Sequence, residues 1–197
     1  MTLPESQVRS LPLEGLPCVI TSSLLPSHLT KPSPTVYAAG NLDALAQSTT
    51  ALFCSSQCPG SVILRTFDLM TTMRDRGEIV MGGFHSPMEH DCLKILLRGR
   101  QDVIVVFARA LENMRIKPEL QEPYRDGRLL LLSPFGPEVR RVTAHLAVER
   151  NRFTAALATR VLVAHPAPGG RTSLLMAELR KAGKDVTQLG NPGVENF

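Results

Sequence analysis

The sequence lacks the common motifs for binding nucleoside triphosphates and dinucleotides. Neither a Walker A motif nor a G-x-G-x-x-G motif occurs in its 197 residues, which counts against ATP hydrolysis and ordinary dinucleotide chemistry. No window is apolar over the roughly 20 residues that a membrane helix needs. The first residues carry no basic flank followed by an apolar run, as a secretory leader would. We therefore expect a protein without a membrane segment.

Cysteine is too scarce for a disulfide framework. The four cysteines are Cys18, Cys54, Cys58 and Cys92. Cys54-x3-Cys58 has no second pair to complete a zinc site, and the order of His85, Glu89 and His90 matches no zinc motif. We expect no metal and no cofactor, and a reducing, cytoplasmic compartment.

The sequence also has little net charge, only +4. The range Lys94–Lys117, however, carries six basic residues against Asp102 and Glu112, an excess of 6 − 2 = +4. Such a local basic field suits a polyanion. The alternative is a solvated surface of arginine and lysine.

Residues 1–34 are rich in Leu, Pro and Ser and are interpreted as an irregular N-terminal lead-in. Residues 35–197 form the compact domain. Its predicted strands lie at 35–40, 51–54, 78–81, 103–107, 129–132, 161–164 and 185–189. Most are continuous apolar runs, typical of strands buried on both faces. Helical patterns separate them, so we predict an α/β fold with a mostly parallel sheet.

Two glycine-containing loops follow predicted strands. In the first, phosphate could be held by Ser55, Ser56, Gly60 and Ser61. The alternative for Ser61 is a plain helix N-cap. The second loop consists of Gly82, Gly83, Phe84, His85 and Ser86. Its glycines permit close backbone approach, and Phe84 could stack on a base or simply pack in the core.

Further arginines lie near the ends of the later predicted strands. Arg109 comes almost directly after a buried strand, where its charge requires a partner. A Pro/Gly turn after the strand at 161–164 leads into a helix, whose free N–H groups attract anions. The remaining predicted phosphate contacts are Arg150, Asn151, Arg152, Gly169, Gly170, Arg171 and Thr172. For the Arg-Asn-Arg segment, an arginine–carboxylate network is the alternative.

The order of these segments resembles the DprA/Smf DNA-processing family from about residue 32 to 189. The most specific match is Arg150-Asn-Arg-Phe-Thr-Ala-Ala-Leu-Ala158. Similar segments are Thr35-Val-Tyr-Ala-Ala-Gly-Asn-Leu42, Gly170-Arg-Thr172 and Gly183-Lys-Asp-Val186. The resemblance implies an extended Rossmann-like, three-layer fold over residues 35–197. It also implies single-stranded DNA binding without catalysis, a possible homodimer, and hand-over to a RecA-type recombinase during DNA uptake or repair.

The chain departs from the family pattern in three places. Ser55-Ser-Gln57 replaces Gly-Ser-Arg, Pro87-Met-Glu89 replaces Gly-Ile-Asp, and His165 replaces an acid at the end of a strand. Such departures would also permit a protein-interaction scaffold that has lost its ligand.

An enzyme is a further alternative. Pro168-Gly-Gly170 is similar to part of the motif of lysine-decarboxylase-like phosphoribohydrolases, although Arg171 removes that motif's third glycine. In this alternative the chain is a mononucleotide sensor or an N-glycosidase-like hydrolase, with Glu89 or His165 as the acid/base group.

Overall fold

The computed structural model describes residues 1–189, which form one eight-stranded sheet with helices on both faces. The strands are β1 (Arg9–Pro12), β2 (Thr35–Gly40), β3 (Thr49–Cys54), β4 (Ile79–Gly82), β5 (Val103–Val106), β6 (Leu129–Ser133), β7 (Arg160–His165) and β8 (Val186–Gln188). The helices are α1 (Gly60–Asp75), α2 (Pro87–Leu97), α3 (Pro118–Arg125), α4 (Ala144–Leu157) and α5 (Arg171–Lys181).

The sheet is parallel except at one end. Its strand order is β1-β2-β6-β5-β4-β3-β7-β8, and only the pairs β1–β2 and β2–β6 are antiparallel. Every residue of β3, β4, β5 and β6 is buried, which explains their continuous apolar runs. The predicted α/β fold with a mostly parallel sheet is confirmed.

The strand order reverses between β3 and β7. From β3 the chain builds β4, β5 and β6 outward on one side, whereas β7 and β8 extend the sheet on the other. In sheets of this kind, a crevice opens beyond the carboxyl ends of the strands at the point of reversal. The loops that follow β3 and β7 therefore flank the expected ligand position.

Each face of the sheet carries its own apolar core. Successive residues of β3 alternate between the faces, as the period of two requires: Phe53 packs on one face and Leu52 on the other. The first core contains Phe153 of α4 and Leu175 of α5. The second contains residues of α1, α2 and α3, including Met70. The fold thus has three layers.

The N-terminal segment is more regular than its composition suggests. It contains β1 and short 3-10 helices at Glu5–Gln7, Leu13–Gly15, Ser22–Leu24 and Ser27–Leu29. Its leucines anchor it, since the buried ones include Leu3, Leu13, Leu16, Leu24 and Leu29. Frequent prolines prevent longer helices here, but the leucines between them still reach the cores.

Some predicted details differ in the structure. The sequence pattern did not predict α3, which has prolines at its first position and inside it. The apolar pattern of the sequence predicts that Leu174 lies on the core side of a helix with Leu175 and Leu179, yet Leu174 is 62% exposed in the first turn of α5. Gly183 ends α5 with a φ of 71°, as expected of a glycine stop. Within residues 1–189, no helix is long and apolar enough to cross a membrane.

Candidate functional site

A cleft of about 640 Å³ opens where the strand order reverses. Its walls are residues 54–57 after β3, residues 85–87 and 89 at the start of α2, residues 147, 148, 150 and 151 of α4, and residues 167–172 before and within α5. The predicted site residues that line it are Ser55, Ser56, His85, Ser86, Arg150, Asn151, Gly169, Gly170, Arg171 and Thr172.

Hydrogen bonds join the loops that follow β3 and β7. The N–H of Ser55 donates to the carbonyl of His165 (2.9 Å), and the N–H of Ala167 donates to Oγ of Ser55 (2.8 Å). Ser55 is buried, whereas Ser56 and Gln57 are exposed at the cleft. Ser55 therefore fixes the wall, and Ser56 and Gln57 are the residues of this loop that a ligand can reach.

Glu89 holds a third loop against β3. Its Oε1 accepts from the N–H of Cys54 (2.8 Å), and its Oε2 accepts from the N–H groups of His85 (3.0 Å) and Ser86 (3.1 Å). Oγ of Ser86 accepts from the N–H of Glu89 in return (3.2 Å), which completes a capping box at α2. Glu89 is only 8% exposed. The carboxylate is thus a structural link between two walls of the cleft.

Arg150 is a buried cation beside the cleft. It is 6% exposed, and its Nη1 donates to the carbonyl of Val106 (2.9 Å). Its Nε has no hydrogen-bond partner within residues 1–189. Burial lowers the pKa of the guanidinium, and the negative charge of Glu89 opposes that shift. A buried polar group without a partner is costly and calls for a structural or functional explanation.

The start of α5 supplies further donors. Gly170 is its N-cap and offers no side-chain acceptor, while Gly169 has a φ of 68° that favours glycine. The N–H groups of Arg171 and Thr172 have no partner in the described chain. Because the N-terminus of a helix carries a partial positive charge, this end of α5 adds to the positive charge of Arg150.

Other predicted site residues do not line the cleft. Gly60, Ser61, Gly82, Gly83 and Arg109 are not among the residues that line it. Phe84 has a positive φ of 45° and is 5% exposed within the second core. Its ring therefore has no free face for a base, and packing is its role.

Arg152 is also outside the cleft, on another side of α4. It donates to both oxygens of Glu178 (2.8 Å each) and to Oε1 of Glu149 (2.9 Å). The hydrogen bonds with Glu178 are the main reason that the pKa of Arg152 is raised and that of Glu178 lowered. This is the arginine–carboxylate network that the sequence left open as an alternative.

The basic range Lys94–Lys117 does not form one patch. Its first half lies on α2 and in the turn before β5, whereas Arg109, Arg115 and Lys117 follow the carboxyl end of β5. The two halves lie at opposite ends of the strands of the sheet, because β5 runs between them. Within residues 1–189, no group of three or more His, Cys, Asp or Glu residues could hold a metal ion.

The sequence of the whole domain identifies its relatives. The sequence model of the DNA recombination-mediator protein A family matches residues 21–189. The chain belongs to this family. No curated protein matches the chain.

Solved structures share this fold. DNA processing protein A (DprA) of Streptococcus pneumoniae superposes with a TM-score of 0.71 at 17% identity, covering 96% of this chain and 65% of that protein. DprA of Helicobacter pylori, described as binding single-stranded DNA, gives 0.70 at 17% identity and covers 96% and 84%. The molybdenum cofactor carrier protein of Chlamydomonas reinhardtii gives 0.52 at 17% identity, covering 75% and 79%. The chain thus spans about two thirds of the length of the streptococcal DprA.

Sequence reasoning missed part of the cleft. Ala147 and Val148 line it but carried no recognisable signal, whereas Gln57 was noted only as a departure from the family pattern. The positions of Ala147 and Val148 follow from helix periodicity, because residues three and four apart share a helix face and Asn151 marks the face of α4 toward the cleft. The capping-box spacing Ser86-x-x-Glu89 is visible in the sequence, but the structural role of Glu89 was not predicted from it.

Gly83 gives the first prediction, because a methyl group there would overlap the guanidinium of Arg150. We expect Gly83→Ala to displace that guanidinium and weaken binding of oligo-dT about tenfold, equivalent to about 1.4 kcal/mol. Fluorescence anisotropy measures this change. Gly60→Ala is the matched control, since no atom lies within 4 Å of the added methyl group. Equal affinities for the two variants would contradict a role for the position of Arg150.

Proposed function

We propose that this chain binds single-stranded DNA at the cleft between the loops after β3 and β7, without catalysing a reaction on it. The observation that carries the proposal is Arg150, a buried arginine that lines a cleft which also receives the start of α5, and whose Nε has no hydrogen-bond partner among residues 1–189. Arginine and free helix N–H groups are the donors that phosphate oxygens prefer. Membership of the DNA recombination-mediator protein A family supports DNA as the source of the phosphate.

The dimensions of the cleft favour a flexible strand over a duplex. Its volume of about 640 Å³ lies in the range of small-molecule sites and suits a few nucleotides. A duplex is stiff, with a persistence length of about 150 base pairs, and its two paired strands are too wide to enter such a space. The single-stranded DNA binding described for the Helicobacter pylori protein supports the same substrate.

The cleft is poorly suited to hydrolysis by the groups considered from the sequence. Both carboxylate oxygens of Glu89 accept hydrogen bonds from backbone N–H groups. An acid/base group must instead reach the proton that it transfers. His165 is not among the residues that line the cleft. These contacts support a binding protein rather than a nucleotide N-glycosidase.

Fluorescence anisotropy with labelled oligo-dT tests the proposal. We expect binding at low salt whose log affinity falls by about 0.7 per unit of log salt concentration for each phosphate neutralised. Arg171→Gln should weaken binding, because Arg171 is exposed at the cleft. Arg180→Gln is the matched control, since Arg180 is exposed at the opposite end of α5. Absence of binding at low salt, or release of free base from nucleoside monophosphates, would refute the proposal.

We further propose that the bound strand is handed to a RecA-type recombinase during DNA uptake or repair, and that the protein acts as a homodimer. The recombination-mediator character of the family supports this role. Light scattering measures the oligomeric state. A recombinase-loading assay on coated single strands measures the hand-over, and no acceleration of loading would contradict it.

A further inference from the structure

The loop between β6 and α4 carries cations that the cleft does not use. Arg140 and Arg141 are exposed, and so is His145 in the first turn of α4. Within residues 1–189, no hydrogen bond or ion pair engages their side chains. Long charged side chains normally either pair or remain solvated. Two adjacent arginines without a carboxylate partner form a concentrated positive surface, which we term the 140–145 surface.

This surface adjoins the cleft through α4. Thr143 caps the helix by accepting from the N–H of Leu146 (3.2 Å), so the loop joins the helix in a fixed conformation. Ala147 and Val148, one turn further on, already line the cleft. Because the α-helix rises about 1.5 Å per residue, the path along the axis from the helix start to Ala147 is short. The 140–145 surface therefore lies beside the cleft, at the carboxyl edge of the sheet.

The same loop spans several strands along that edge. It leaves β6, which is separated from β3 by β5 and β4. With strands about 4.8 Å apart, β6 lies roughly 14 Å from β3. The loop that carries Arg140 and Arg141 thus connects β6 to the helix that lines the cleft, over a distance that a single phosphate cannot cover. Glu138 is the acidic residue of this loop. It lies against Gly136 and, with Tyr37, lines a pocket other than the cleft.

We propose that the 140–145 surface is a second contact region for the same strand, binding the phosphates that leave the cleft. The inference rests on the proposed function, because it requires a strand anchored at Arg150. A mononucleotide would occupy the cleft alone, whereas a polyanion with regularly spaced charges would also engage Arg140 and Arg141. Affinity should then increase with strand length beyond what the cleft can hold.

Length-dependent binding of an Arg140→Gln/Arg141→Gln double variant tests this inference. With a labelled 15-nucleotide oligo-dT, we expect about a tenfold loss of affinity and a log–log salt slope smaller by about 1.4, the value for two single-strand phosphates. With a 4-nucleotide oligo-dT we expect no change. Arg98→Gln/Arg100→Gln is the matched control, since both arginines are exposed before β5 at the opposite edge of the sheet. Thermal unfolding should be unchanged in both double variants, because all four side chains are exposed.

The outcomes separate the two proposals. Unchanged binding of the longer oligonucleotide, or an equal loss with both lengths, would overturn the second contact region while leaving single-stranded DNA binding in place. An equal loss in the Arg98/Arg100 control would assign the effect to net charge and overturn it as well. Failure of the unsubstituted protein to bind either oligonucleotide would overturn the proposed function itself.

Discussion

Replacing Glu89 with alanine is expected to lower the free energy of unfolding by about 2–6 kcal/mol, with about 1–3 kcal/mol for each of two buried donors left unpaired. The N–H groups of Cys54 and Ser86 become such donors, since both residues are buried. His85 is exposed, so water can replace the carboxylate at its N–H. Urea unfolding followed by circular dichroism measures the change.

The reason for so large an effect lies in the irregular end of β3. The register between β3 and β7 shifts between Phe53 and Cys54, and there the N–H of Cys54 donates to Glu89. The carboxylate thus completes hydrogen bonding that the sheet does not supply.

Glu89→Gln keeps the size of the side chain and one acceptor oxygen. Its free energy of unfolding should therefore fall between those of the unsubstituted protein and Glu89→Ala. Glu122→Ala is the control, because Glu122 is exposed on α3, and surface changes cost about 0.5 kcal/mol or less. Unchanged stability in Glu89→Ala would contradict the structural role.

The elements that the sequence predicted well are those with strong local signals. The continuous apolar runs of β3, β5 and β6 are legible because both faces of these strands are buried. β1 gave no such signal, since it is a four-residue edge strand with mostly exposed residues. It is fixed by pairing with β2, which is a tertiary contact that no local pattern contains.

Side-chain direction was the least predictable part of the site. Phe84 adjoins a glycine pair in a loop that favours ligand approach, but its positive φ directs the ring into the core. That backbone angle is uncommon for a non-glycine residue and is set by the surrounding structure. The loop position was therefore predictable, whereas the orientation of the ring was not.

Arg150 and Arg152 show what helix geometry adds to a motif. Residues two apart on an α-helix point about 200° apart, since each residue turns the helix by about 100°. Both arginines therefore cannot face one ligand. The structure directs Arg150 toward the cleft and Arg152 toward Glu178. Once the segment is recognised as a helix, only one of the two can contact phosphate in the cleft.

This division leads to the prediction with the largest expected effect on binding. Arg150→Met should weaken single-stranded DNA binding by about 10- to 100-fold, because a charge-assisted hydrogen bond contributes about 1.5–3 kcal/mol. The same substitution should change stability little. Removal of a buried charge, whose pKa is lowered by burial and whose Nε has no hydrogen-bond partner within residues 1–189, offsets the loss of the hydrogen bond from Nη1 to the carbonyl of Val106.

Arg152→Met is the matched control, because it places the same change on the same helix and should have the opposite consequences. It leaves the buried carboxylate of Glu149 without its ion pair, so we expect a loss of about 1–3 kcal/mol in stability. Single-stranded DNA affinity should be unchanged, since Arg152 lies outside the cleft. Anisotropy and urea unfolding of both variants measure the two effects. Weakened binding in Arg152→Met, or unweakened binding in Arg150→Met, would show that phosphate is recognised elsewhere than at this cleft.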